Sequence, residues 1–145
     1  MMETIVVTSG GFDPVHIGHI RMFRAASELG DWHIVILNDD NFLLRKKKYV
    51  FMPFNERQEI LESIIWVDEV FPCIDKDDSV NKTLEMIRTM NPNAHIIFAN
   101  GGDRKNEDEI REAKTCSKHN IELSFNVGGG KIQSSSSLTR THGIL

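Results

Sequence analysis

The sequence predicts an α/β fold: a five-stranded parallel sheet with helices on both faces. Three observations predict it. Strand-like and helix-like segments alternate along the chain five times. The strand-like runs are short, apolar and rich in β-branched residues, as buried strands are. The length, 145 residues, argues for one domain, residues 1–145.

The elements follow in order. Thr4–Ser9 reads as a buried strand. Ile17 to Leu29 carries apolar residues at Ile17, Ile20, Phe23, Ala26 and Leu29, a helical stripe, with Gly30 as its stop. Trp32–Leu37 (WHIVIL) is a second strand. Residues 55–65 read as a helix with Asn55 as N-cap and with Ile60, Leu61 and Ile64 facing inward. A short strand over 67–72 follows. Ser79 opens a helix with Val80, Leu84 and Ile87 on one side. Residues 94–99 (AHIIFA) are a strand, 106–119 a charged helix and 121–125 the last strand. A terminal helix is expected from Ser134. This order is Rossmann-like, and in such sheets ligands bind beyond the carboxyl ends of the strands, where strand order reverses.

The bulk numbers exclude several classes. A chain of this length buries roughly 70% of its unfolded surface, so no disulfide or structural metal is needed for folding. The net charge of −4, with 40% hydrophobic and 26% charged residues, gives no general attraction to nucleic acid or to anionic membranes. No apolar run approaches the ~18 residues of a membrane span. The stretch MMETIVVTSGG lacks the pattern of a signal peptide. Cys73 and Cys116 form no CxxC pair and read as reduced thiols of a cytoplasmic protein. No internal repeat and no low-complexity linker interrupts the chain.

The segment SGGFDPVHIGHIRMF, Ser9–Phe23, holds the densest signal. Gly10 and Gly11 follow the first strand and permit a tight turn and close approach to a ligand. Their spacing fits neither the Walker A pattern nor GxGxxG. His16 and His19 lie three residues apart, so they share a face if the helix starts near Val15 or His16. Three readings compete for them: two satisfied histidines, a zinc pair, and phosphate donors. The remaining histidines (His33, His95, His119 and His142) and the two cysteines form no ligand-spaced cluster, which speaks against zinc. A helix N-terminus with free N–H groups and two imidazole donors suits a phosphate.

Gly10, Phe12, Asp13, His16, Gly18 and His19 resemble the GxFDxxHxGH signature of cytidylyltransferase-like nucleotidylyltransferases. Ser134-Ser135-Ser136 in KIQSSSSL is similar to the Ser/Thr cluster of the same family. The resemblance covers essentially the whole chain. It implies transfer of a nucleotide monophosphate from a triphosphate to a phosphorylated acceptor, with release of pyrophosphate, a need for Mg2+, and a homodimer. His16 and His19 would donate to the triphosphate, with Gly10, Gly11, Phe12, Asp13 and Gly18 shaping the turn. The Ser cluster would hold the β- and γ-phosphates. Asp13 is a candidate to support the magnesium or only to brace the loop.

The run Arg45–Lys48 (RKKK) reads as a basic loop on the ligand side. The resemblance implies that a lysine there, Lys46, Lys47 or Lys48, approaches the phosphates. Lys46 is assigned to catalysis, and Lys47 and Lys48 to the acceptor. Arg57 matches in motif order an arginine that related enzymes use near the reacting phosphates. The bland alternative is an exposed helix arginine beside Glu56, Glu59 and Glu62. One departure stands out. Relatives often carry an arginine shortly before the Ser/Thr cluster, as in RTEGIST, where this chain has Val127-Gly128-Gly129-Gly130-Lys131. Lys131 would supply the charge there, as a point and not a planar fork.

NGGDR, Asn100–Arg104, follows the fourth strand. Asn100, Gly101, Gly102 and Asp103 resemble the loop of heptose-1-phosphate adenylyltransferases more than the GDD of glycerol-phosphate enzymes. Asn38 and Asp40 in VILNDD match the corresponding strand end and would face the acceptor. ATP and a sugar 1-phosphate are therefore the favoured substrates. CTP with glycerol 3-phosphate is the alternative, and a non-catalytic nucleotide-binding module is a third reading.

Overall fold

The computed structural model describes residues 3–101, 110–125 and 127–128. They form β1 (Thr4–Gly10), α1 (Ile17–Ser27), β2 (Trp32–Leu37), α2 (Asp40–Lys47), α3 (Phe54–Glu62), β3 (Glu69–Pro72), α4 (Asn81–Met90), β4 (His95–Ala99), α5 (Ala113–Lys118) and β5 (Ile121–Ser124). The strands make one sheet ordered β3-β2-β1-β4-β5, and every pairing is parallel. The chain winds outward from β1 through β2 to β3, then crosses back to β4 on the other side of β1. The switch in direction therefore falls between β1 and β4, and the crevice beyond their carboxyl ends is where such sheets take ligands.

Side chains alternate between the two faces of each strand, and the apolar runs fill both. Ile5, Val7, Ile34, Ile36, Ile96 and Phe98 pack with Leu84 and Ile87 of α4 and Cys116 of α5. On the opposite face Val35 and Leu37 meet Phe23 of α1 and Leu61 of α3, while Val6 and Ala99 meet Ala26. Each such burial is worth roughly 1.5–3 kcal/mol for a full-sized apolar side chain. No helix among the described residues is long and apolar enough to cross a membrane.

Most expected elements stand within a residue or two of their places. β3 is shorter than the 67–72 run, because Val67 closes a turn onto Ile64 and Asp68 bonds the carbonyl of His33 before the ladder begins. α3 starts one residue early, with Pro53 and not Asn55 at its N-cap. Its inward face is set by Arg57 and Leu61, four residues apart, which turns Ile60 out to 37% exposure. In α1 the stripe is likewise narrower than expected. Ile17 and Leu29, at or beyond the helix ends, are exposed, whereas Phe23 and Ala26 are buried.

Two elements contradict the sequence reading. Of the charged helix expected over 106–119, residues 110–112 are not helical and α5 begins only at Ala113. The second is the basic run. Arg45–Lys48 is not a loop: Arg45, Lys46 and Lys47 form the last turn of α2, and Lys48 is its left-handed C-cap at φ 73°. The helix starts where Asp39 accepts from the Phe42 amide at 2.8 Å. An acidic first turn and a basic last turn complement the helix dipole. With Leu43 its only buried residue, α2 lacks an apolar stripe such as that of α4.

Candidate active site

The turn after β1 is built around Phe12. Its backbone takes a positive φ of 51°, and its ring folds back over Gly10, where a Cβ would come 2.9 Å from the ring. The ring is buried and packs edge-on against His19 at 4.8 Å and Phe23 at 5.2 Å. Phe12 thus supports an imidazole from the core side, and presents no stacking face to a base.

His16 is the N-cap of α1, and it forms a capping box with His19. His16 Nδ1 accepts from the Gly18 amide at 3.1 Å, and His19 Nδ1 accepts from the His16 amide at 3.1 Å. An Nδ1 that accepts an N–H carries no proton of its own, so each ring holds its proton on Nε2. The two rings stack, with centroids 3.7 Å apart and planes inclined by 22°. Gly18 is explained by the same contact, since a Cβ there would lie 2.9 Å from His16 Cε1. Two neutral imidazoles with fixed Nε2–H donors therefore stand at a helix N-terminus, an arrangement that suits an anion.

Asp13 does not line this site as a ligand. Its carboxylate, fully buried, accepts from the amides of Phe51 and Met52 and pairs with Lys47 Nζ at 3.1 Å. Lys47 also donates to the Asp13 carbonyl, and its side chain is only 11% exposed. The lysine expected at the acceptor is thus the counter-ion of the β1–α1 turn. Lys46 and Lys48 are exposed, with the Lys46 ammonium over the Phe42 ring at 5.4 Å. Arg45 is engaged by Asp78 at 2.9 Å.

Arg57 is not an exposed helix arginine but 1% exposed. It reaches under the glycine turn, donating from Nη1 to the carbonyls of Gly11 and Asn38, both at 2.8 Å. Nε donates to the Met52 carbonyl at 2.9 Å and Nη2 to the Asp40 carboxylate at 2.7 Å. Asn38 also donates its amide to Gly10 at 3.0 Å. Arg57 with Asp40 and Lys47 with Asp13 are each matched pairs. Among the described residues, the N-terminus of α1 and the imidazole donors are then what the turn offers an anion.

The loop after β4 closes the other side. Asn100 is buried; its amide donates to Ser124 at 2.8 Å and its carbonyl accepts from Val127 at 3.0 Å. A Cβ on Gly101 would meet Met22 Sδ at 2.8 Å and the Val127 carbonyl at 3.0 Å. Gly128, at φ +87°, lies so close to α1 that a Cβ would come 2.7 Å from Met22 Cα. This backbone-to-backbone seat leaves no room for a side chain and accounts for the glycine. Met22 escaped the sequence reading; the only trace of it there is the pair of glycines it faces. Gly102, Asp103, Lys131, Ser134, Ser135 and Ser136 lie outside the described residues, as do residues 106–109 of the expected charged helix and the whole terminal helix.

Among the described residues no group of three or more His, Cys, Asp or Glu could hold a metal ion. Asp13 has both carboxylate oxygens committed within the protein, so it does not fit a magnesium-supporting role.

The family model described as cytidylyltransferase-like matches residues 7–141. The glycerol-3-phosphate cytidylyltransferase of Bacillus subtilis (strain 168) is 43% identical over 67 residues, 46% of this chain and 52% of that protein. The first such relatives are thus matched over only about half to three-fifths of their length. The FAD synthase of Pyrococcus horikoshii is 35% identical over 111 residues, 76% of this chain and 72% of that one. Among solved structures, the lipopolysaccharide core biosynthesis protein from Thermoplasma volcanium superposes with a TM-score of 0.67 at 22% identity, covering 86% of this chain and 96% of that one. That likeness speaks to the fold alone. A family match spanning most of the chain, on a parallel sheet with the HxGH turn at its carboxyl edge, makes this chain a member of the cytidylyltransferase-like family of nucleotidyltransferases.

Proposed function

We propose that the protein transfers a nucleoside monophosphate from a triphosphate to a phosphorylated acceptor and releases pyrophosphate. One observation carries this reading: at the N-terminus of α1, beside the glycine turn, two stacked imidazoles each accept a backbone amide at Nδ1 and so carry their proton on Nε2. An acceptor phosphate oxygen attacks the α-phosphorus in line, the bond to the β-phosphate bridging oxygen breaks, and pyrophosphate leaves. Nothing in the step requires a covalent enzyme intermediate. The protein contributes position and hydrogen-bond donors where charge moves onto the leaving group. Magnesium enters as part of the Mg–NTP substrate, since Mg2+ commonly binds through substrate phosphates and retained waters.

ATP with a sugar 1-phosphate of the heptose type is the favoured pair. The loop resemblance at Asn100–Asp103 supports it, and the broad match to FAD synthases supports an adenylyl donor. CTP with glycerol 3-phosphate is the second reading, favoured by the higher identity, over a shorter stretch, to glycerol-3-phosphate cytidylyltransferases. A homodimer belongs to the same proposal, because two-fold dimers are the commonest closed assemblies; sedimentation at micromolar concentration tests it. The deciding experiment crosses four NTPs with heptose 1-phosphate, glycerol 3-phosphate and flavin mononucleotide, reading pyrophosphate. Release only with ATP and the sugar phosphate supports the first pair. NTP binding without release under any combination makes the protein a nucleotide-binding module.

A further inference from the structure

Arg57 heads the fully buried side chains of the described residues by size. A guanidinium has five N–H groups, and four of them are committed: two at Nη1, one at Nε and one at Nη2. The three carbonyls they hold come from three separate segments. Gly11 is in the turn after β1, Asn38 in the link from β2 to α2, and Met52 in the approach to α3. Met52 is held from both sides, because its amide donates to Asp13. The charge is met by Asp40, whose side chain is 43% exposed.

We propose that Arg57 is a positioning residue. It fixes the glycine turn against the end of β2, so that the turn amides and the His16 and His19 donors keep one geometry toward the reacting phosphates. The proposal rests on the nucleotidylyl-transfer reading for its functional half. Phosphate recognition by arginine uses two parallel N–H groups of an available fork. This fork is buried and turned to main-chain oxygens. Lysine cannot replace it, since one ammonium cannot span three carbonyls on different segments. Any carbonyl left buried and unpaired then carries its own desolvation penalty.

The test compares the parent with Arg57→Lys. Hydrogen exchange in the free protein reads the amides of Asn38, Phe51 and Met52, each bonded across this junction. These should exchange at least tenfold faster in the variant. Steady-state kinetics should show kcat reduced about a hundredfold with KM for the nucleotide within threefold. Unchanged exchange, or a nucleotide KM that rises while kcat holds, overturns the proposal and makes Arg57 a phosphate ligand. Faster exchange with parental kinetics also overturns it. Should Arg57→Lys fail to fold, Asp40→Ala removes the anion opposite the fork and should quicken the same three amides; no change there overturns the proposal. The exchange experiment needs no substrate. A parent that transfers no nucleotide therefore defeats the functional reading, while the exchange rates still decide whether Arg57 holds the junction.

Discussion

The imidazole of His16 lies across the amide of Gly18, with Nδ1 3.1 Å from the nitrogen and Cε1 2.9 Å from where a Cβ would stand. The glycine of the HxGH turn is thus a seat for the first histidine.

Gly18→Ala should separate stability from activity. Alanine gains up to about 1 kcal/mol of helix propensity over glycine. Dislodging the N-cap costs about 1 kcal/mol, so the two effects nearly cancel. Thermal unfolding should shift by only a few degrees. The displaced ring loses its fixed tautomer and aim, and pyrophosphate release should fall tenfold or more. Parental kcat in this variant would show that the His16 orientation is irrelevant.

His16→Asn tests the donor apart from the cap. Asparagine is among the best N-cap residues, so the start of α1 should survive. The Nε2–H is gone, and removal of one well-placed donor costs about 3 kcal/mol of transition-state stabilisation. Turnover should drop a hundredfold with little loss of melting temperature. A variant that keeps both would leave His16 only its capping role.

The lysines of α2 divide. Lys46→Ala with Lys48→Ala removes exposed charges, which carry little stability, and melting should be parental. If Lys46 meets the triphosphate, kcat/KM falls about tenfold, near 1.4 kcal/mol. Lys47→Ala strips the buried Asp13 carboxylate of its cation and should lower the melting temperature clearly. Breaking a buried pair commonly costs 3–5 kcal/mol, and the two amides still bonded to Asp13 should hold the loss toward the lower end. Equal melting for the two variants would contradict this division.

His33 should make stability depend on pH. Its ring is buried between Thr8, whose hydroxyl sits 2.9 Å from Nε2, and the Trp66 carbonyl, 2.8 Å from Nδ1. Burial pushes its pKa below the ordinary 6.5, outweighing the Trp66 bond and the nearby Asp68 carboxylate. The unfolded chain therefore takes up the proton first. His33's contribution is intact above pH 6.5 and is lost as pH falls from there toward the folded value, by at most about 1.4 kcal/mol per unit. Urea midpoints at pH 7.5, 6.5 and 5.5 should decline in that order, and His33→Gln should flatten the slope. An equal slope in the variant would assign the effect to other groups.

The sheet was legible because its strands are runs such as WHIVIL, whose continuous burial needs no partner information. The HxGH turn was legible because its residues are neighbours in sequence. α2 was not, since a helix with one buried residue leaves no periodic trace; the Asp39 cap and the basic last turn were the available signs. The carbonyl partners of Arg57 were invisible for a different reason. Gly11 and Asn38 lie far from Arg57 along the chain, and what they offer is main-chain oxygen, which every residue possesses. The same holds for Met22, which meets Gly128 only through backbone.

The two cysteines give the protein a built-in clock for its own opening. Burial raises both thiols, that of Cys116 to about 12, and only the thiolate attacks an alkylating reagent. Near neutral pH the closed protein therefore offers almost no reactive sulfur at Cys116, wedged in the core beneath β4 and β5. Modification at that position must wait for exposure, so its rate measures how often the core comes apart. Cys73, half-buried just past β3, should be modified sooner, through a smaller opening at the sheet edge. Reading the two rates in one sample would separate fraying from global unfolding, without any label being added to the chain beforehand.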